Sequence, residues 1–189
     1  MQILIFEGIA TSGKSMVIKE LVSALPATLG IKVIGEEETH LPIIKETSSL
    51  HLDFYKSLIN KAVSEEQDLA IFDRLYLTQA FRAGVKLDAY VEIEELLLPH
   101  LPTTIFLRVD EDGIAERIRE AIAHRSLSWA DYVKTKGQDI NEIAEYYINQ
   151  QVSQLKLLNA SVIPYQIFSA TNHNYPCIVN KIWKSILSL

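Results

Sequence analysis

Short apolar runs alternate with longer amphipathic stretches along the whole chain. Five runs read as strands: residues 2–6, 32–34, 69–72, 103–109 and 163–168. Apolar residues recur at helical spacing over 14–25, 42–63, 75–83, 89–100, 111–123, 129–158 and 176–187. Strands separated by helix-length stretches predict parallel pairing, because a parallel neighbour needs a crossover long enough to hold a helix. Runs such as "AIFD" and "TIFLRV" are nearly continuous in apolar residues, as strands covered on both faces are. The pattern predicts an α/β fold, a three-layer α/β/α sandwich with a five-stranded parallel sheet, as one domain over residues 1–189. In such sheets ligands bind at the carboxyl ends of the strands.

Composition narrows the classes. A chain of 189 residues, 48% apolar and 22% charged, has the balance of a soluble globular protein with a sizeable core. No apolar run reaches the ~20 residues of a membrane span, and "MQILIFEG" lacks the basic n-region of a secretory signal. One cysteine, Cys177, excludes an internal disulfide framework and fits a reducing cytosol. The net charge of −6 argues against a nucleic-acid polymer as partner, since phosphate backbones need a basic face. A local basic pocket for phosphates stays compatible with it. The expectation is a cytoplasmic protein with neither membrane nor nucleic-acid polymer among its partners.

The chemistry is concentrated at the first strand's end. Gly8-Ile9-Ala10-Thr11-Ser12-Gly13-Lys14-Ser15 fits G-x-x-x-x-G-K-[ST], the Walker A pattern of a P-loop. Glycines let the backbone curl until successive N–H groups face phosphate oxygens, and the following helix, through Met16, presents its positive end. Lys14 is placed to bridge the β- and γ-phosphates of ATP, and Ser15 to ligate Mg²⁺. A chance match in such a chain has odds of roughly 1%. No guanine-reading N-K-x-D is present. Asp73 follows four apolar residues, the shape of a Walker B strand, so it can hold Mg²⁺ or orient an acceptor hydroxyl; Arg74 can clamp phosphate with its planar fork. Glu7, just before the loop, reads as a carboxylate that fixes it.

"IFEGIATSGKS", "LAIFDRLYLTQ", "ERIREAIAHR" and "YQIFSAT" resemble, in order, the loop, D/E-R motif, lid helix and adenine-side strand of thymidylate kinases and deoxynucleoside kinases. The resemblance spans most of the chain. It implies Mg²⁺-ATP-dependent phosphoryl transfer to a small-molecule acceptor: a nucleoside, deoxynucleoside or nucleoside monophosphate. It also implies a homodimer through helices flanking the sheet. "VIGEE" resembles the strand end where deoxynucleoside kinases carry an acceptor-side glutamate, with Glu36 matching best and Glu37 next. The "REPGG"-like loop of thymidylate kinases is absent, which favours a hydroxyl acceptor. The resemblance puts a lid around residues 117–137 with Arg117 and Arg125 as its phosphate-neutralising arginines, though the family's tighter arginine cluster is spread out here. It puts Ala170, Thr171 and Asn172 beside adenine. Phe54, Tyr55, Gln79, Phe81 and Arg82 are candidates for the acceptor pocket. Trp129, Tyr132, Tyr146 and Tyr147 read as packing, and His40, His51, His100 and His173 lack metal-ligand spacing. Two alternatives stand beside this: a kinase of another small molecule such as a sugar acid, cofactor precursor or antibiotic, and a nucleotide-binding regulatory protein with weak hydrolysis.

Overall fold

The computed structural model describes residues 1–187. Its five parallel strands are β1 (Gln2–Glu7), β2 (Ile31–Ile34), β3 (Leu69–Asp73), β4 (Pro102–Arg108) and β5 (Tyr165–Ser169), in the sheet order β2-β3-β1-β4-β5. The helices are α1 (Lys14–Ala24), α2 (Glu36–Thr39), α3 (Leu52–Ser64), α4 (Leu77–Ala83), α5 (Val91–Leu97), α6 (Glu111–His124), α7 (Leu127–Lys134), α8 (Ile140–Ala160) and α9 (Tyr175–Leu187). The expected α/β/α sandwich is what forms.

The period of two along each strand sorts the core. Ile3, Ile5, Ala70 and Phe72 face one layer, where Tyr55 and Ile59 of α3, Ala80 of α4 and Ile93 of α5 cover them. Leu4, Phe6, Leu69 and Ile71 face the other, under Val17 and Leu21 of α1 and Ile178 and Ile182 of α9. A smaller apolar cluster joins Ile9 of the loop to Ile114 and Ile118 of α6, Val133 of α7 and Ile143 of α8. It holds α6, α7 and α8 beside the loop that follows β1. Register puts Phe6 opposite Asp73 and Ile105, so the ends of β1, β3 and β4 meet at one edge.

Three expected helices are broken. The stretch 42–63 holds a 3₁₀ turn (Leu41–Ile43), an irregular segment, and then α3. Thr47, Ser48 and Ser49 there compete for backbone hydrogen bonds, and His51 takes a left-handed φ of 52° before α3 starts. The stretch 129–158 splits into α7 and α8. Asp139 caps α8 through the N–H groups of Asn141 and Glu142, and a Cβ on Gly137 would lie 2.6 Å from that of Glu142. The stretch 89–100 contains only α5 between two 3₁₀ turns. Conversely, the acidic run after β2 forms α2, whose first turn carries Glu36, Glu37 and Glu38 near the positive helix end. Among the described residues, no helix is long and apolar enough to cross a membrane.

Candidate active site

β1 delivers the chain into the loop at Gly8, whose φ is 139°. A Cβ there would sit 2.6 Å from the Leu107 carbonyl oxygen and 2.9 Å from Ser12 Oγ. At Gly13, with φ 90°, a Cβ would sit 2.5 Å from the Tyr175 ring. Both positions need glycine for conformation and for space. Between them the hydroxyls of Thr11 and Ser12 are buried without a partner, and Thr11 itself has a left-handed φ of 70°. A loop with buried, unpaired hydroxyls fits phosphate oxygens. Lys14 lies in it, donating to the carbonyls of Gly8 (3.2 Å) and Ile9 (3.0 Å). Burial, with repulsion from Arg74, lowers the Lys14 pKa to about 8, so a polyanion in the cradle would restore its full charge. Met16, the last residue of the expected cradle, instead lines the shallow groove between α1 and α9.

Ser15 and Asp73 come together although the sequence separates them. Ser15 Oγ donates to Asp73 Oδ2 at 2.8 Å. Asp73 is 4% exposed, and its Oδ1 is buried with no partner. A hydroxyl and a carboxylate with one unfilled oxygen fit Mg²⁺, which takes one or two protein oxygens and completes its shell with water and phosphate.

Arg74 is the hinge of the site. It follows β3 in a left-handed conformation, φ 71°, held by its N–H to the Phe6 carbonyl. This turns the side chain back across the loop. Nη1 donates to the Gly8 carbonyl and to Thr78 Oγ1, both at 3.1 Å, and Nε pairs with Glu36 Oε1 at 3.1 Å. Beside that guanidinium the Glu36 carboxyl falls to a pKa of about 2, against the opposing effect of burial. Glu7 underpins the turn. Its Oε1 accepts from the Leu75 N–H at 3.0 Å and its Oε2 from Thr78 Oγ1 at 3.1 Å. It is fully buried; desolvation raises its pKa, opposed by these hydrogen bonds, Arg74 and Lys14.

A cavity of about 580 Å³ opens beside this pair. Glu36, Glu37, His40 and Arg74 line one side; Trp129, Tyr132, Tyr146, Tyr147 and Gln150 line the other. The four aromatic residues expected only to pack therefore also wall a cavity. His40 is buried, and its pKa drops to about 3 through desolvation and Arg74, leaving a neutral ring. Among the acceptor-pocket candidates, Arg82 lines the cavity. Gln79 does not: its Nε2 donates to the carbonyls of Glu46, Thr47 and Ser49, pinning the segment before α3. Phe54 and Tyr55 belong to the sheet-facing core, and Phe81 packs on Tyr146. Among the described residues no group of three or more acidic, histidine or cysteine side chains could hold a metal ion.

Arg117 and Arg125, the two arginines expected of a lid, differ. Arg125 caps the end of α6 and lies over the ring of Trp129, a residue that lines the cavity, at 4.6 Å. Arg117 is 6% exposed and donates to the carbonyls of Thr11 (2.8 Å), Ala170 and Thr171 (3.0 Å). It ties the phosphate loop to the turn after β5, where Thr171 Oγ1 also accepts from the Asp110 N–H. The buried glutamines of α8 had escaped the sequence reading. Gln151 brackets Val109 with both amide atoms, and Gln154 donates to Thr78. Three glutamines on a helix flanked by apolar residues were the available sign.

No family model matches the sequence, and no curated protein does. Solved structures do. The YorR protein of Bacillus subtilis, in complex with phosphorylated GDP, superposes with a TM-score of 0.63 at 17% identity, over 98% of this chain and 95% of its own. A shikimate kinase from Bacteroides thetaiotaomicron gives 0.61 at 18%, over 100% and 99%. Deoxyadenosine kinase from M. mycoides with dCMP and dCDP gives 0.58 at 17%, over the full length of both chains. The fold is that of the P-loop kinases of small molecules. Within that class the neighbours named include both a deoxynucleoside kinase and a shikimate kinase.

Proposed function

We propose that this protein is a Mg²⁺-ATP-dependent kinase that transfers a phosphoryl group to a small acceptor, with a nucleoside or deoxynucleoside as the best fit and a nucleoside monophosphate next. The observation that carries this is the Arg74–Glu36 pair. Arg74 touches the phosphate loop through Gly8, and Glu36 lines the aromatic cavity, so one ion pair spans donor and acceptor compartments. A hydrolase or binding module has no need of that bridge. The aromatic wall favours a flat acceptor over a sugar acid.

Transfer in such a site is positioning plus charge neutralisation. Mg²⁺, when held by Ser15 and Asp73, supplies positive charge at the β- and γ-phosphate oxygens. Lys14 leaves its two carbonyls for the phosphates. Arg74 sits where the transferred group passes, and its charge offsets the charge spreading over the equatorial oxygens. Glu36, ionised far below neutral pH, is a weak base. Its role is to accept the acceptor's O–H and aim the oxygen. Arg125 reaches the site from the lid, and Arg117 sets the turn that borders the nucleotide base. A cytoplasmic setting agrees with the free, exposed Cys177.

The test is incubation of purified protein with Mg²⁺-ATP and a panel of nucleosides and nucleoside monophosphates, read by mass. A nucleoside gaining one phosphate is expected. No phosphorylated product from any member, with ATP turnover indifferent to the panel, overturns the reading in favour of a nucleotide-binding module.

A further inference from the structure

α1 and α9 leave a groove of about 690 Å³ between them on the outside of the molecule. The two helices run side by side in the same direction: each leads away from the same end of the sheet, and Tyr175 at the start of α9 meets Gly13 at the start of α1. Buried Val179 and half-buried Trp183 line the groove from α9, and Met16, 49% exposed, lines it from α1. That is apolar surface without a cover. Neither helix contributes to the wall of the cavity that holds Arg74 and Glu36.

Two charges of opposite sign stand in the same groove. Lys19 and Glu20 both line it from α1. Within α1 no charged residue lies three or four positions from either, so neither has a helical partner. Among the described residues neither makes an ion pair. Such a surface matches itself. A second α1 can lie antiparallel on the first, about a two-fold axis passing between positions 19 and 20. Lys19 then faces the partner's Glu20, and the partner's Lys19 faces Glu20. The same axis sets Met16 against the partner's Ser23 and the partner's Ala24, small residues that also line the groove and leave room for a flexible thioether. Every contact occurs twice, and the arrangement closes at two copies. A different partner, with a patch of one sign, would meet repulsion beside each attraction.

We propose that the α1–α9 groove is a homodimer interface, filled by the same groove of a second copy, with Met16 as its apolar knob and two Lys19–Glu20 pairs flanking the axis. The patch is smaller than the about 20–30 residues a side of a standard interface, so the dimer is a reversible one, with a Kd of ~1–100 μM. Each copy keeps its own cavity open. The inference is independent of the kinase reading.

The experiment is analytical sedimentation of the full chain over a concentration series, for wild type, Lys19→Glu, Glu20→Lys and the double variant. Thermal unfolding at the lowest concentration and retention on immobilised ATP accompany it. Wild type is expected to pass from monomer to dimer as concentration rises. Each single swap sets like charges together at both sites and should raise the Kd ~10-fold or more. The double variant restores opposite charges, and its Kd should return to within ~3-fold of wild type. Monomer Tm and nucleotide retention should be the same in all four. A wild type that stays monomeric overturns the inference. So does a dimer indifferent to either swap, which must use another face, and so does a double variant no better than the singles. A Tm lowered by a single swap also overturns it, by assigning these charges to the fold of the monomer. Absence of nucleotide retention in all four would count against the kinase reading alone.

Discussion

Replacing Glu36 by glutamine removes one charge from the ion pair and keeps the side chain's shape. The native carboxyl has a pKa of about 2 against 4.5 for the free group. At ~1.4 kcal/mol per unit, that gap would correspond to about 3 kcal/mol of stabilisation. The Glu36 side chain is 37% exposed, so solvent screens the pair and a working figure is ~1–2 kcal/mol. The sign follows from the direction of the shift. A depressed native pKa stabilises fully above the unfolded pKa and less as pH falls through the folded value. The Tm of E36Q should therefore lie about 2–8 °C below wild type at pH 7, with the difference narrowing below pH 4.5. For activity, kcat/KM should fall ~10²-fold, because Arg74 loses its fixed orientation and the acceptor O–H its carboxylate. From pH 5 to 8 Glu36 should contribute no acid limb to the wild-type profile. The assay is kcat/KM against pH for both proteins. An acid limb near pH 5–6 in wild type that disappears in E36Q would refute this, showing a carboxyl that titrates as a general base.

Asp73→Asn keeps the hydrogen bond to Ser15 and removes the charge from the orphaned oxygen; the Mg²⁺ concentration for half-maximal rate should rise about tenfold or more, and an unchanged Mg²⁺ dependence would dissociate Asp73 from the metal. Arg117→Lys cannot fork across three carbonyls, so the KM for ATP should rise several-fold with the acceptor KM unmoved. Steady-state kinetics varying each substrate separately checks this, and a selective rise in acceptor KM would contradict the assignment.

The phosphate cradle could be read because its residues are contiguous and each answers a local backbone demand. Gly8 and Gly13 have positive φ, and the atoms a Cβ would strike leave no room for a side chain at either. Asp73 and Arg74 could be placed because a parallel strand ends where its apolar run ends. The cavity was harder, for a physical reason: its wall comes from α2, from α4 and from the α7–α8 stretch, which lie far apart in sequence. An aromatic residue at helical spacing looks the same whether it faces core or cavity, so Trp129 and Tyr147 were indistinguishable from packing. Gln79 shows the opposite error. A polar residue beside a predicted pocket suggested base recognition, yet three carbonyls of the segment before α3 occupy its amide. The broken helices also had local causes, the Asp139 cap and the Thr47–Ser49 cluster, which periodicity alone overran.

The contact between Tyr175 and Gly13 has a consequence for synthesis of the chain. The loop leaves the ribosome well before α9, the helix whose ring packs against it. The Arg117 tether likewise needs the turn after β5. A nascent chain stalled before α9 thus carries the whole nucleotide motif in its sequence without the surface on which that motif rests. Retention on immobilised nucleotide is expected to appear late and abruptly as stalled chains are lengthened, rather than when the motif first emerges.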